Sequence, residues 1–191
     1  MRRLETEEDI LAFIENDEEL MKILALIREL DLSDSWLCAG LLRSRIWDNQ
    51  SGFSFKTPVH DVDVVYFDQQ LINYDYEQEI QTLLKTKEPA YNWEVKNEAR
   101  MHVHHPGSPR YISTTDAISK FPETVTAIGA RLNTNDQVIL TAPHGVEDLL
   151  TLTVRPTPSA KETEERMKVY KKRVGQKDWG TVWPSIKLLM D

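Results

Sequence analysis

Cysteine is nearly absent from this 191-residue chain, basic residues are in deficit, and no long apolar run interrupts it. Each scarcity excludes a class of protein. The single cysteine, Cys38, rules out an intrachain disulfide. Its setting in the apolar stretch SWLCAG reads as a small buried hydrophobe rather than a reactive thiol. No run approaches the roughly 18 apolar residues of a membrane span. The opening MRRLETEEDILAFI turns acidic straight after two arginines, unlike a secretory or transit signal. A soluble protein of the reducing cytoplasm is the expectation. The 23 lysines and arginines face 31 aspartates and glutamates, for a net charge of -8. A grip on nucleic acid by broad phosphate neutralisation is therefore not expected, which leaves only a local basic patch for that purpose. Repeats and low-complexity tracts are also lacking, and the length suits a single domain with its own core.

What is present is hydrophobic periodicity. Thr6 to Leu30 reads as helix broken near ENDEEL, with one stripe at Ile10, Leu11, Phe13 and Ile14 and a second at Leu20, Met21, Leu24 and Ile27. Thr6 with Asp9, and Asn16 or Asp17, are the caps. SWLCAG reads as a short strand closed at Gly40, LLRSRIWDNQSG as a helix, VDVVYF as the second strand and YDYEQEIQTLLKT as an amphipathic helix. YNWEVKNEARMHVH alternates and predicts a third strand running to His104. This order predicts an α/β (α+β) core over about residues 1–105 with a small mixed sheet. Over about 106–191, TAIGARLNTNDQVILTAP predicts a β-hairpin turning at NTND, GVEDLLTL a short helix, VRPTPS a linker, and KETEERMKVYKKRV a charged helix anchored by Met167 and Tyr170.

The stretch PVHDVDVVYFD places two carboxylates in an apolar strand. Residues i and i+2 of a strand project to one face about 6.6 Å apart, so Asp61 and Asp63 lean toward a common point. Like charges there raise each other's pKa and cost stability unless a cation sits between them. Gly40 offers a turn where backbone N–H groups can approach a phosphate, and Arg43 and Ser44 open the following helix beside it. Paired acids ahead of such a turn suit divalent ions that bridge phosphate oxygens. Glu94, in NWEVKN, is the candidate third carboxylate, with pairing to Lys96 as its structural alternative. Glu98 shares the parity of Glu94 but would lie about 13 Å along the strand, too far to share the ions. Arg43 has an alternative use in neutralising Asp48. His102, His104 and His105 form a run without a cysteine or acid at ligand spacing, so zinc is disfavoured. WGTVWPSI reads as a C-terminal cover whose tryptophans pack inward.

The ordered set AGLLRSRIWD, HDVDVVYFD, WEVKNEARMH, FPETVTAIGARL and APHGVEDLLTL resembles the small bacterial-type nucleotidyltransferases of the DNA polymerase β-like superfamily. The resemblance covers most of the chain. It implies a polymerase-β-like core, dependence on Mg²⁺ with Mn²⁺ as a substitute, and transfer of a nucleoside monophosphate from a nucleoside triphosphate. The chain departs from the pattern at Leu41, where the superfamily has Gly or Ser, and in a longer interval from Gly40 to Asp61. Ser44 is the hydroxyl available to compensate.

The expected function is nucleotidyl transfer to an acceptor hydroxyl, with Asp61, Asp63 and Glu94 as catalytic and metal-binding residues and Gly40, Arg43 and Ser44 binding nucleotide. A nucleotide-binding module without turnover is the alternative. A sugar, an amine alcohol, a protein hydroxyl and an RNA end are all open as acceptor, with the acidic charge counting against the last.

Overall fold

The computed structural model describes residues 2–59, 61–104 and 107–191. Among the described residues, three antiparallel and two parallel strand pairings organise it. Helices α1 (Glu7–Glu15) and α2 (Glu18–Glu29) lead into strand β1 (Trp36–Cys38), helix α3 (Gly40–Gln50) and strand β2 (Asp61–Tyr66). Helix α4 (Tyr74–Lys87), strand β3 (Asn92–Asn97) and the short helix α5 (Glu98–Met101) follow, α5 running into a 3-10 turn at His102–His104. The second half holds α6 (Thr114–Ile118), the hairpin β4 (Gly129–Leu132) and β5 (Val138–Thr141), and α7 (Glu147–Leu150). It ends with β6 (Thr153–Val154), α8 (Pro158–Lys161), α9 (Glu164–Gln176), α10 (Trp179–Val182) and β7 (Lys187–Leu188).

Local chemistry accounts for the breaks. Thr6 and Asp9 form a reciprocal capping box, Asp9 N donating to Thr6 Oγ1 at 3.1 Å and Thr6 N to Asp9 Oδ2 at 3.2 Å. Asp17 separates α1 from α2 by accepting from the amides of Glu19 and Leu20 at 3.0 and 3.1 Å. In the hairpin, Asn133 Oδ1 accepts from the amides of Asn135 and Gln137, and Asp136 takes the positive φ of 61° that the turn requires.

The sheet runs β3-β2-β1-β4-β5, with β2 and β3 parallel and the other neighbours antiparallel. The hairpin extends the same sheet as the N-terminal strands, because β4 pairs with β1. Alternation then sorts the side chains. Leu37, Val62, Val64, Trp93 and Val95 join α1, α2 and α3 in the main core. Val62 and Val64 are fully buried, which is worth about 1.5–3 kcal/mol each. Trp36, Cys38 and Val65 face the other way, with Ile118 and Ala127, and it is this second face that carries Asp61, Asp63, Glu94 and Lys96. The free edge of β3 is covered by α4, whose Gln81 and Glu77 side chains accept from Val95 N at 2.8 Å and Asn97 N at 3.2 Å.

Two expectations change. The third strand stops at Asn97 and does not reach His104. The Asn97 side chain is fully buried; it accepts from Ala99 N at 3.1 Å, capping α5, and donates to Asp68 O at 2.7 Å. His102 and His104 are thus on a helical turn, and His105, like the start of the expected loop at Pro106, lies outside the described residues. VRPTPS is also no open linker: Val154 is in β6, Pro156 bridges to Glu123, and Thr157 caps α8 by accepting from Ala160 N at 3.2 Å. Among the described residues no helix is long and apolar enough to cross a membrane.

Candidate active site

The acidic pair sits where the sheet's second face opens into a cleft. Residues Asp61 to Tyr66 pair in parallel register with Asn92 to Asn97, which puts Glu94 directly beside Asp63. Asp61 Oδ1 accepts from Asn92 Nδ2 at 2.8 Å. Glu94 Oε2 accepts from Lys96 Nζ at 2.6 Å. Glu94 therefore has both proposed relations at once, neighbour of the aspartates and partner of Lys96. Burial pushes the Asp63 carboxyl above its usual range, Lys96 opposing and the charges of Glu94 and Asp61 adding to the rise. Burial also works against the charge of Lys96, but its hydrogen bond to Glu94 and the fields of Glu94, Asp63 and Glu98 hold its pKa above the usual value.

Across the cleft stands the N-terminus of α3. The backbone turns at Ala39, not at Gly40: Ala39 has φ 55° and ψ -114°, a conformation costing on the order of 1–3 kcal/mol for a non-glycine residue. The Ala39 amide is tied to Ile128 O at 3.1 Å. A Cβ added at Gly40 would lie 3.9 Å from Asp63 Oδ2, so bare backbone faces the carboxylate across a gap. Leu41 points away, fully buried in the main core.

Arg43 is buried without a carboxylate partner among the described residues. Its guanidinium carbon lies 4.7 Å from the ring centre of Trp179, 5.1 Å from Trp47 and 6.0 Å from Trp183, contacts in which the ring faces attract the cation. Nη2 donates to Ser44 Oγ at 3.2 Å, and Nε has no partner. Burial brings its pKa down to about 10, with Glu123 and Asp63 resisting, so it is a cation at neutral pH. Asp48, the alternative partner, is taken by Thr57 N at 2.8 Å and Trp183 Nε1 at 2.9 Å. The C-terminal tryptophans are thus packed inward, as a cover that also holds Arg43.

Two lobes meet at the aspartates. The lobe of about 290 Å³ is lined by Gly40, Arg43, Ser44, Thr57, Trp179 and Trp183. The lobe of about 410 Å³ is lined by Glu94, Lys96, Glu98, His104, Phe121 and Val169. Asp61, Asp63, Thr126, Arg173 and Lys177 line both. Sequence reasoning passed over Arg173 and Lys177, although their i, i+4 spacing at the end of the charged helix puts them on one face. Arg173 is steered by Glu123, whose fully buried carboxylate accepts from Arg173 Nε at 2.9 Å and Thr126 Oγ1 at 2.7 Å. It also excluded Glu98, which the early end of β3 turns back over the cleft. Glu98 is pushed up to about 7 by burial, with Lys96 and Arg100 pulling down and Glu77 and Asp63 pushing up.

Among the described residues no three His, Cys, Asp or Glu side chains form a ready metal cage. The donor set nonetheless fits a hard divalent cation. Asp61 and Asp63 are oxygen ligands on one face, Asp63 is in the repulsive field of Asp61 and Glu94, and an ion such as Mg²⁺ is bound through one or two carboxylates plus substrate phosphates and water.

The mixed sheet thus carries paired acids on one strand and a third on its parallel neighbour, with a helix N-terminus opposite. The chain belongs to a nucleotidyltransferase family: a family model described as nucleotidyltransferase matches residues 25–188. It is similar, at 38% identity and a TM-score of 0.88 over 97% of each chain, to a protein whose NMR structure reveals a CCA-adding enzyme head domain. The fold is also that of a Thermotoga maritima CCA-adding enzyme complexed with tRNA-CCA, at TM-score 0.54 and 13% identity over 99% of this chain and 43% of that one. A tRNA nucleotidyltransferase complexed with a primer tRNA and an incoming ATP analog matches at TM-score 0.51 and 18% identity, over 87% and 46%. The chain spans less than half the length of these two enzymes. No curated protein matches its sequence.

Proposed function

We propose that the protein is an Mg²⁺-dependent enzyme that moves a nucleoside monophosphate from a nucleoside triphosphate to an acceptor hydroxyl. The observation that supports this best is the register of β2 and β3, which puts Asp61, Asp63 and Glu94 on the cleft face opposite the α3 N-terminus. In this reading Asp61 and Asp63, helped by Glu94, hold the divalent ion, which when bound neutralises phosphate charge. The buried Arg43 and the backbone at Gly40, with Ser44, orient the triphosphate in the smaller lobe. Arg173 and Lys177 bring positive charge to the leaving pyrophosphate. The acceptor oxygen forms a bond to the α-phosphorus as the bond from that phosphorus to the bridging oxygen breaks. The electron pair leaves with pyrophosphate, and the acceptor's proton passes to Glu94, whose orientation Lys96 fixes.

The acceptor belongs to the larger lobe. Two fold relatives were solved with tRNA, so net charge alone does not remove nucleic acid from the partners to be tested. The experiment is incubation with each α-labelled nucleoside triphosphate, Mg²⁺ and a cell extract. Label should move to an acceptor, with pyrophosphate released, in the parent but not in Asp63→Asn. Nucleotide binding without pyrophosphate release under every condition would instead mark a sensor.

A further inference from the structure

The carboxylate of Asp48 fastens together two walls of the smaller lobe that lie far apart in the chain. Asp48 sits on α3 and is 4% exposed. Its Oδ2 accepts from Thr57 N at 2.8 Å, and its Oδ1 accepts from Thr57 Oγ1 and, at 2.9 Å, from Trp183 Nε1. Arg45, about one turn earlier on the same helix face, donates from Nη1 to Thr57 O at 2.9 Å and from Nε and Nη2 to Glu19 at 3.2 Å. Thr57 is thus gripped at its amide, its hydroxyl and its carbonyl. Thr57, Pro58 and Val59 line the lobe on the stretch that leads to Asp61, and the Pro58 ring removes one backbone rotation from that approach. Trp183 lines the lobe from the C-terminal cover, where with Trp47 and Trp179 it surrounds the Arg43 guanidinium. One buried acid therefore meets both the loop that precedes the aspartates and the cage around the arginine.

We propose that Asp48 is a positioning residue for nucleotide binding: through Thr57 it sets the approach to Asp61, and through Trp183 it sets where Arg43 points. This rests on the nucleotidyltransferase reading above. The stretch between α3 and β2 is long, and its first half has no strand partner of its own. Hydrogen bonds to a carboxylate are shorter and stronger than those between neutral groups, so three of them on one acid stop the loop and the cover from moving independently. Both walls are thereby referred to α3, the helix whose N-terminus faces Asp63. A neutral isostere fails at this task, because asparagine has one acceptor oxygen and one NH₂. With its oxygen turned toward Trp183, its NH₂ meets Thr57 N donor against donor; flipped, the NH₂ meets the indole N–H. In either orientation one arm opens, and Arg45 loses one of its two charge partners, 3.8 Å away.

The test titrates an ATP analogue, carrying carbon in place of the α–β bridging oxygen, into the full chain with Mg²⁺, for the parent, Asp48→Asn and Trp183→Phe. Each is measured well below its own melting midpoint, where a merely structural role leaves affinity unmoved. Asp48→Asn should raise the Kd about fivefold or more, since apparent affinity falls with the fraction of molecules whose site is assembled, and should need more Mg²⁺ for half-maximal binding. Trp183→Phe keeps an aromatic ring beside Arg43 and deletes the indole donor. It should raise the Kd about threefold or more without changing the Mg²⁺ requirement, because the Thr57 arm is intact. A folded Asp48→Asn with the parent's Kd and Mg²⁺ requirement overturns the proposal. Should Asp48→Asn fail to fold, Trp183→Phe decides alone, and a Kd equal to the parent's overturns it. If the parent itself binds no analogue, the nucleotide reading falls and takes this role of Asp48 with it; if the parent binds and the variants bind equally well, the role of Asp48 falls and the nucleotide reading stands.

Discussion

Glu98→Gln should stabilise the metal-free protein above neutral pH and do little in acid. The Glu98 carboxyl has a pKa of about 7 in the fold against an ordinary value of 4.5. Between those two values the folded state keeps a proton that the unfolded chain has released, so stability falls as pH rises through the window. Below 4.5 both states are protonated and the group contributes nothing; above about 7 both are ionised and the full cost is present. The difference, 7 − 4.5 = 2.5 units, corresponds to about 3 kcal/mol at 1.36 kcal/mol per unit. At 4% exposure, solvent does little to screen it. Glutamine keeps the shape and cannot ionise. Urea denaturation of parent and variant in EDTA should therefore give near-equal stabilities at about pH 4.5 and a gap opening to about 3 kcal/mol in favour of the variant by pH 8. In a thermal scan that gap is about 6–12 °C for a chain of this size. A gap of one size at both pH values, or a variant less stable than the parent at pH 8, would refute the burial argument and return Glu98 to an ordinary solvated carboxylate.

Three further outcomes follow from the cleft. Asp61→Asn and Asp63→Asn should abolish transfer yet fold, and Asp63→Asn should melt slightly above the parent in EDTA because one like charge is gone; unfolded variants, or retained Mg²⁺-dependent turnover, would assign these acids a structural role. Arg43→Met, which keeps an apolar stem among the three tryptophans, should weaken nucleotide binding about tenfold or more, read as a fall in nucleotide-induced stabilisation from about 2.7 kcal/mol, at about 100 times the parent's Kd, to about 1.4 kcal/mol or less. Glu94→Gln should lower kcat about 10²-fold with a much smaller change in nucleotide affinity; an unchanged kcat in a pyrophosphate-release assay would remove Glu94 from the reaction.

The parts of the fold legible in the sequence were those governed by short-range rules. The break between α1 and α2 follows from Asp17 accepting two amides of the next turn. Asn133 likewise organises the NTND turn by itself. The face shared by Asp61, Asp63 and Glu94 needed only the period of two and one assumption, that the third strand neighbours the second; β2 and β3 are indeed paired with Glu94 opposite Asp63. Nonlocal pairings were not legible. Nothing in GARL says that it joins β1, and nothing in KKRVGQK says that α9 returns Arg173 and Lys177 to the acids of β2. Such placements are decided by how helices and strands pack after they form, through contacts such as Arg173 with the buried Glu123.

Glu98 shows how a single local signal redirects the chemistry. Extending the alternation of NWEVKN through EARMHVH treats Glu98 as two steps of parity beyond Glu94 and too remote to matter. Asn97 prevents that. Its side chain caps α5 through Ala99 N, while its amide group fastens the strand end to Asp68 and Leu71. The residues after it, Glu-Ala-Arg-Met, are good helix formers, so the chain curls back over the sheet instead of running off its end. The consequence for the site is a change of kind. Glu94, half-exposed and paired with Lys96, is an acid with a partner. Glu98, buried and lining the larger lobe with Val65 and Phe121, makes no ion pair among the described residues, and burial pushes its carboxyl up to about 7 against the fields of Lys96 and Arg100, so desolvation and not pairing governs its protonation.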